Sequence, residues 1–325
     1  VVAKNKVGTW VVLFSSGYNN VSPGDGNGHL FVVDAATGAL LDQIATLENN
    51  SPVGSTTTPN GLAKINAWVE SDLDNTAKRV YGGDLLGNVW RFDFDANYPP
   101  TGKEAVKLAE LRVGGNRQPV TTKPELAKIN NLYDVVFVGT GRYLGTPDLS
   151  NVEQQSIYAL KDTLASTGLG DVRQGNQLVE QTLTEKTNSV GRVVRTASQN
   201  TVNWATEDGW YIDLNPGDLS PGERVNIEMQ QQFNILTVAT NVPNPNACNV
   251  GGYGYLYNVD INTGGGLSTA PEQGLQVGVR LSTNALVAGI KVVRLTTGKT
   301  VAIVTDTTGT VIVEDIPSPT GSAAG

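Results

Sequence analysis

The stretch Arg79-Val80-Tyr81-Gly82-Gly83-Asp84-Leu85-Leu86-Gly87-Asn88-Val89-Trp90-Arg91-Phe92-Asp93 decides the fold of this chain. Two runs of β-branched and aromatic residues flank a turn rich in glycine, which predicts a β-hairpin with one buried face. A single hairpin is only marginally stable in water, so it has to stack on further sheets. The same pattern should therefore recur along the sequence.

The hairpin pattern does recur, and its closing aspartates lie 47 to 69 residues apart. The other copies are Val11–Gly17 with His29–Asp34, Asp134–Gly141 with Ser156–Asp162, the fragment Trp210–Asp213, Asn234–Thr240 with Gly254–Asp260, and Lys299–Thr305 with Gly309–Asp315. Propeller blades of four strands take about 40–50 residues, and insertions lengthen them. The repeat predicts an all-β propeller of six or seven sheets. Long insertions are predicted at 18–28, 45–70, 98–118 and 164–199.

Composition excludes several classes of function. The chain has 325 residues and a net charge of -8, which argues against nucleic-acid binding because a phosphate backbone requires a basic surface. One His and one Cys argue against a His-ligated catalytic metal, a Ser-His-Asp triad and a Cys-rich zinc site. No apolar run is long enough for a transmembrane helix. No signal peptide is visible at Val1, so we expect a mature form or a fragment of an exported protein.

The densest acidic cluster is the candidate metal site. Glu70, Asp72 and Asp74 alternate along the chain, and this spacing lets a tight loop turn carboxylates toward a hard cation such as calcium. Asn75 can adopt the left-handed conformation that such a loop usually gives to glycine. Lys78 stands where a further acidic ligand is expected. Its ammonium could replace the cation by bridging to Asp72 or Asp74, and an ordinary solvated turn is the other alternative.

Two matched corners raise the possibility of an enzyme. Val33–Gly38 and Val259–Gly264 share the pattern Asp-x-x-Thr-Gly, in which aspartate caps the turn and glycine supplies a positive φ. The same corner occurs in quinoprotein dehydrogenase propellers, where a tryptophan follows it. Neither corner here is followed by tryptophan, so we interpret both as structural and expect no enzyme activity.

The remaining rare residues favour structural roles. The five tryptophans, Trp10, Trp68, Trp90, Trp204 and Trp210, lie mostly at or near strands and are predicted to fill the core between blades. His29 is predicted to be a surface or hydrogen-bonded residue. Cys248 is an odd cysteine, which indicates a free thiol or a partner outside this chain.

Two motifs together resemble a specific family. Gly8–Asn20 and Gly82–Asp93 resemble the C-terminal domain of the PilC/PilY family, type IV pilus tip-associated biogenesis factors and adhesins. Similar segments follow in order at Gly139–Gly145, Gly209–Leu214, Pro245–Cys248, Gly254–Leu256 and Gly278–Leu281. The resemblance implies a modified seven-bladed β-propeller with long inter-strand insertions. We expect it to be a single domain over 1–316, with a disordered tail at 317–325 and an N-terminal region missing.

The resemblance also implies a function without catalysis. The family commonly carries a calcium loop between the strands of Trp68 and Arg79, and calcium there is tied to pilus extension and retraction. Glu70, Asp72 and Asp74 occupy its first three ligand positions, and Lys78 replaces the last acidic one. We expect an exported protein at the pilus tip or cell surface, associated with the outer membrane. It would promote pilus assembly, oppose retraction and mediate adhesion.

The expected partners are minor pilins at the pilus tip and a host or surface receptor. The segments Leu164–Gln199 and Tyr98–Gln118 are the predicted contact loops, because binding residues usually lie on long insertions. Two alternatives stay open. One is a quinoprotein-dehydrogenase-like enzyme, and the other is a scaffold propeller of envelope assembly.

Overall fold

A computed structural model describes the chain except residues 70, 72, 99–101, 176, 247–250, 268–274 and 318–325. Within this described part the regular structure is β-strand, with 3₁₀ turns at Thr146–Ser150 and Pro216–Asp218 and no α-helix. No helix there is long and apolar enough to cross a membrane. The chain divides into two compact units, residues 1–126 with 161–176 and residues 127–160 with 177–325. The prediction of one domain over 1–316 stays a prediction.

The first unit is built from two antiparallel four-stranded sheets. Its strands are β1 (Val2–Lys4), β2 (Trp10–Ser15), β3 (His29–Asp34), β4 (Leu40–Ala45), β5 (Leu47–Glu48), β6 (Ser51–Pro52), β7 (Ile65–Val69), β8 (Ala77–Gly83), β9 (Asn88–Asp93), β10 (Glu104–Glu110), β11 (Arg112–Val113) and β12 (Asn116–Arg117). The sheets have the orders β1-β2-β3-β4 and β10-β9-β8-β7, and β5-β6 and β11-β12 form short ribbons.

Alternation along the strands decides which face of each sheet is buried. In β2, Val11 and Leu13 point into the core, and on β3 Leu30 and Val32 join them. The second sheet adds Val80, Trp90 and Phe92 to the same cluster. Burying one such side chain contributes about 1.5–3 kcal/mol to the free energy of unfolding. Packing between the inner faces of these two sheets therefore stabilises the first unit.

The opposite face of the first sheet is apolar and exposed. Trp10 and Phe14 are 45% and 46% exposed, and the Phe14 ring stacks on Phe31 with 5.2 Å between ring centroids. The other four tryptophans are at most 6% exposed. The prediction that tryptophans fill the core is therefore confirmed for four of them and wrong for Trp10, because the side chains of a strand alternate between faces.

The second unit contains three further sheets. The strands of these sheets are β13 (Glu125–Ile129), β14 (Tyr133–Gly139), β15 (Ser156–Asp162), β16 (Val179–Gln181), β17 (Leu183–Thr187), β18 (Val193–Ala197), β19 (Gly209–Asp213), β20 (Gln230–Gln232), β21 (Ile235–Pro243), β22 (Gly252–Asp260), β23 (Gln276–Arg280), β24 (Val287–Arg294), β25 (Thr300–Asp306) and β26 (Val311–Asp315). The first two residues of β13 and the last two of β15 are counted with the first unit. Their orders are β13-β14-β15-β19-β16, β17-β18-β23-β22-β21-β20 and β24-β25-β26. The core between them contains Phe137, Trp210, Tyr257 and Val238.

The repeat is confirmed as a set of hairpins. β2 pairs with β3, β8 with β9, β21 with β22 and β25 with β26, all antiparallel. Three of the predicted insertions are wrong as loops. Residues 45–70 contain β5, β6 and β7, and β7 is one edge strand of the second sheet. Residues 98–118 contain β10, the outer strand of the second sheet, and residues 164–199 contain β16, β17 and β18. Residues 98–118 and 164–199 are rich in charged and polar residues, so the apolar alternation typical of a strand is weak there.

Candidate functional site: the acidic loop and its buried base

The predicted metal site lies on the loop that joins β7 to β8. Glu70 and Asp72 fall outside the described residues, so the structure neither brings them together nor separates them. Asp74 is exposed, and its Oδ1 accepts a hydrogen bond from the Thr76 hydroxyl at 3.0 Å. Asn75 has φ 57°, so the left-handed conformation expected of it is confirmed. An exposed carboxylate beside a left-handed residue is compatible with an oxygen-ligated cation.

Lys78 is the second residue of β8 and is half-buried. Its carbonyl accepts a hydrogen bond from Asn97 Nδ2 at 2.9 Å, which fixes the backbone at this end of the loop. The Lys78 ammonium makes no ion pair with any residue in the described part of the chain, Asp74 included. A bridge from Lys78 to Asp74, one of the sequence alternatives, is therefore not formed.

The base of the loop is held by a buried arginine. Trp68 of β7 pairs with Arg79 of β8, and the guanidinium lies 4.2 Å from the centre of the Trp68 ring. Arg79 donates hydrogen bonds to the hydroxyls of Tyr81 at 2.6 Å and Tyr98 at 3.0 Å. A desolvated cation over an aromatic face is stabilised by about 2 kcal/mol. The loop thus leaves the sheet from a rigid base.

A buried ion pair extends this base. Asp162 belongs to the 161–176 segment of the first unit. It accepts a hydrogen bond from the Tyr81 hydroxyl at 2.6 Å and forms an ion pair with Arg91 at 2.6 Å. The Arg91 and Asp162 side chains are 2% and 1% exposed. Burial, reinforced by the Asp162 charge, raises the pKa of Tyr81 well above its ordinary value. The tyrosine therefore stays neutral and acts as a donor to the carboxylate.

The deciding hairpin also encloses a carboxylate. Asp84, fully buried in the turn after β8, accepts hydrogen bonds from the Trp90 indole at 2.8 Å and from the backbone of Leu86 and Asn88 at 2.9 Å. Burial raises its pKa above the ordinary value, although the bonds from Trp90, Asn88 and Leu86 oppose the shift. The carboxylate ties the hairpin to its own second strand, so its role is structural.

The second unit has a comparable cluster around Arg195 of β18. Its guanidinium stacks on Tyr255 at 3.7 Å, forms an ion pair with Glu223 at 2.5 Å and donates to Glu185 at 3.1 Å. Tyr257 donates to the other Glu223 oxygen at 2.8 Å. Burial alone lowers the pKa of Arg195, but the neighbouring Tyr257 and Glu223 raise it above its ordinary value.

The two arginine clusters were missed by sequence reasoning. Their signal is visible in hindsight: Arg79 stands beside Val80 and Tyr81, and Arg195 follows Val193–Val194 inside an apolar strand. A charged residue within such a run is buried only when it is paired. Arg195 pairs with Glu223, and Arg79 is linked to Asp162 through the Tyr81 hydroxyl. Both carboxylates are distant in sequence, so these contacts could not be predicted.

Other predicted residues have structural roles. His29 Nε2 lies 2.9 Å from Asp25 Oδ2, which confirms a hydrogen-bonded histidine. Asp34 accepts the backbone N–H of Thr37 at 2.8 Å, and Gly38 has φ 73°, which confirms the predicted corner. Cys248 lies outside the described residues. Among the described residues, no group of three His, Cys, Asp or Glu side chains is arranged to hold a metal ion.

Comparison with protein families identifies a strong similarity. Residues 1–195 match the family model of the PilY1 β-propeller domain. A type IV pilus biogenesis factor PilY1 homolog of Xylella fastidiosa is 33% identical over 82% of this chain and 20% of its own length. The type IV pilus biogenesis factor PilY1 of Pseudomonas aeruginosa PAO1 is 28% identical over 81% of this chain and 25% of its own length. The chain thus spans about a quarter or less of these curated relatives.

A solved structure supports the fold. The crystal structure of the Pseudomonas aeruginosa PilY1 C-terminal domain aligns over 98% of this chain and 72% of its own, with a TM-score of 0.75 and 23% identity. Together with the family match, this likeness confirms the predicted β-propeller. The number of seven blades stays a prediction.

Proposed function

This chain belongs to the PilY1 β-propeller family, and from that premise we propose that it is part of a type IV pilus biogenesis factor acting at the pilus tip. The single observation that carries the proposal is the match of residues 1–195 to the family model, joined by relatives named type IV pilus biogenesis factors. In this proposal the protein is exported, works with minor pilins, promotes assembly, opposes retraction and presents a surface to a receptor.

The relatives are named for pilus biogenesis and not for a catalysed reaction, which supports a role without catalysis. The enzyme alternative makes a distinct prediction. A quinoprotein dehydrogenase oxidises alcohols with an artificial dye as acceptor when quinone and calcium are added. We expect no turnover from the purified chain, and saturable alcohol-dependent dye reduction would favour the enzyme.

Deletion tests the proposed role directly. A strain lacking the coding region for this chain should lose surface pili, counted by electron microscopy, and should lose adhesion. Complementation with the intact region should restore both. Normal piliation and adhesion in the deletion strain would contradict the proposal.

We further propose that the loop of Glu70, Asp72 and Asp74 binds calcium. The exposed Asp74 carboxylate and the left-handed Asn75 support this, and Lys78 forms no ion pair with Asp74, so the Asp74 carboxylate stays available to a hard cation. Lys78 weakens the site, since a positive charge opposes a divalent ion. The carboxylates would hold the ion, and the ion would stiffen the loop.

Calorimetric titration of the purified chain with calcium tests the loop. We expect binding that Asp72→Ala abolishes and that Lys78→Asp tightens at least about tenfold, because one repulsion becomes an attraction. The exposed Glu180→Gln in β16 is the matched control and should leave binding unchanged. Equal affinity in the wild-type chain and Asp72→Ala would place the ion elsewhere.

A further inference from the structure

The second unit has a polar cavity of about 460 Å³ that none of the preceding roles uses. Its wall comes from four separate stretches of chain: the β13–β14 turn, the segment after β18, the residue before β21 and the corner after β22. Ligand pockets in proteins commonly measure about 300–1,000 Å³. The cavity is therefore large enough for one or two sugar rings.

Asparagine dominates the wall. Asn130 and Asn131 stand in the β13–β14 turn with φ 53° and 55°, Asn234 precedes β21 and Asn262 follows β22. Within the described part of the chain, the side-chain amides of Asn130, Asn131 and Asn234 make no hydrogen bond. Each amide offers two donors and an acceptor. A primary amide can bind two neighbouring hydroxyl groups at once, one as donor and one as acceptor.

Hydrogen bonds at the corner after β22 hold the Asn234 backbone and the Asn262 side chain. The backbone N–H of Ile261 donates to the Asn234 carbonyl at 3.1 Å, which fixes Asn234 beside the corner. Asn262 Nδ2 donates to Asp260 Oδ1 at 2.8 Å, which leaves the Asn262 amide oxygen available as an acceptor. The backbone of Asn234 and the side chain of Asn262 are therefore in place before a ligand arrives, which lowers the entropic cost of binding at these two residues.

One wall of the cavity is apolar and rigid. Trp204 is 5% exposed, and its indole N–H donates to the Asn262 carbonyl at 2.9 Å. The Tyr133 ring stacks against the indole with 6.3 Å between centroids. The buried Ile261 completes this wall. An apolar surface beside amides matches a sugar ring, which carries C–H groups on one face and hydroxyls around its edge.

The charge of the cavity selects a neutral ligand. Lys128 is the one charged side chain among the described lining residues, and its ammonium lies 3.4 Å from Asp134 Oδ1. That carboxylate largely neutralises it, and no acidic side chain is among those described lining residues. The cavity therefore has no net charge to attract a phosphate, a sialic acid or a metal cation.

We propose that this cavity binds a neutral carbohydrate of one or two sugar residues through Asn131, Asn234 and Asn262. The carbohydrate would be the receptor for the adhesion proposed above, so its biological role rests on that proposed function. The binding itself is a property of the second unit and can be measured on the purified chain.

A glycan array followed by calorimetry with the strongest neutral glycan tests the proposal. We expect saturable binding that Asn234→Ala and Asn131→Gly each weaken at least about tenfold, because each removes an amide. Glycine at 131 keeps the left-handed backbone that alanine would strain. The matched control is Asn49→Gly, an exposed left-handed asparagine of the first unit with φ 50°, which should bind as wild type does.

Three results would overturn the proposal: no saturable binding to any neutral glycan, binding confined to sialylated or sulfated glycans, or equal affinity in the wild type and both cavity variants. Thermal melts of each variant check that the fold is retained. If the deletion strain keeps its pili, the proposed pilus role fails while glycan binding by the purified chain stands. If pili are lost and the array is blank, only the carbohydrate proposal fails.

Discussion

Single buried side chains in this protein carry charges that the fold has to neutralise. Asp84, Asp162 and Glu223 are each at most 4% exposed, and each accepts hydrogen bonds from more than one donor. A buried charge without such partners costs several kcal/mol. These buried contacts therefore specify which strands can pair. Removing one partner should lower the free energy of unfolding much more than removing a partner of an exposed ion pair.

The Arg195 cluster should be much more sensitive to substitution than a nearby surface pair. Arg195→Met leaves the buried Glu223 carboxylate without its cation, and we expect a loss of about 3–5 kcal/mol in the free energy of unfolding. Arg192, three residues earlier, pairs with Glu314 from a side chain that is 40% exposed. Arg192→Met should cost about 0–1 kcal/mol. Urea denaturation measures both, and equal costs would contradict the difference.

Asp84 should give the protein a distinctive pH dependence. Its folded pKa is raised above the ordinary 3.8, mainly by burial, so in the window above 3.8 the folded state holds a proton that the unfolded state has lost. The contribution of Asp84 to the free energy of unfolding therefore falls as pH rises through that window. We expect the stability of the wild type relative to Asp84→Asn to decline between pH 4 and neutrality.

Asp34 supplies the opposite control. Hydrogen bonds from Thr37 lower its folded pKa, so its contribution is present above pH 3.8 and is lost as pH falls through the lowered value. Urea denaturation of wild type, Asp84→Asn and Asp34→Asn, extended to below pH 3.8, should give slopes of opposite sign: the Asp34 contribution rises with pH up to about 3.8, and the Asp84 contribution falls above it. A flat or rising difference for Asp84 would show that its hydrogen bonds outweigh its burial.

At the scale of elements, the two Asp-x-x-Thr-Gly corners have the same backbone and different surroundings. Gly38 and Gly264 have φ 73° and 76°, and a β-carbon on Gly38 would meet nothing within 4 Å. A β-carbon on Gly264 would lie 2.7 Å from the Trp210 ring. Trp210 itself is fixed by a hydrogen bond from its indole N–H to the Ile261 carbonyl at 2.9 Å.

These surroundings predict unequal costs for the same substitution. Gly38→Ala should cost about 1–2 kcal/mol for the left-handed backbone alone. Gly264→Ala should cost about 1–3 kcal/mol more, because the tryptophan has to shift in a packed core. Denaturant unfolding of the two variants gives the comparison. Identical losses would mean that the Trp210 contact relaxes without cost.

The hairpins could be predicted from sequence because their signal is local. Apolar alternation and a turn with glycine or asparagine lie within about twenty residues, and the structure pairs β2 with β3 and β8 with β9 accordingly. The edge strands could not be predicted in the same way. β10 contains Glu104, Lys107 and Glu110, and β16 is a short strand that pairs in parallel with β19. β10 could not be predicted because its composition is polar, and β16 could not be predicted because its pairing partner is distant in sequence.

The candidate site was predictable only in part. The acidic spacing and the left-handed Asn75 follow from residue types, so they were visible in the sequence. The rigid base of Trp68, Arg79 and Tyr98 depends on three elements that meet only in the fold. The asparagine cavity likewise gathers four distant stretches of chain, and only one of them, the Val259–Gly264 corner, carries a recognisable motif, which predicts a turn and not a cavity.

At the scale of the whole molecule, the chain order and the compact units do not coincide. The first unit consists of residues 1–126 and 161–176, and residues 127–160 between them belong to the second unit. The sequence repeat predicted a series of sheets one after another. It could not predict this exchange, because the segment 161–176 is held by contacts such as the hydrogen bond from Glu110 to Gly170 at 2.7 Å.

That interleaving decides when each unit can be completed as the chain emerges, N-terminal end first, from synthesis or from export. Domains generally fold from the N-terminal end during synthesis. Here Arg91 and Tyr81 have been made long before Asp162, their common buried partner, so the first unit waits for residues that follow the opening stretch of the second. The second unit therefore begins to form before the first is complete. A chain that has emerged only as far as residue 160 contains two incomplete hydrophobic cores.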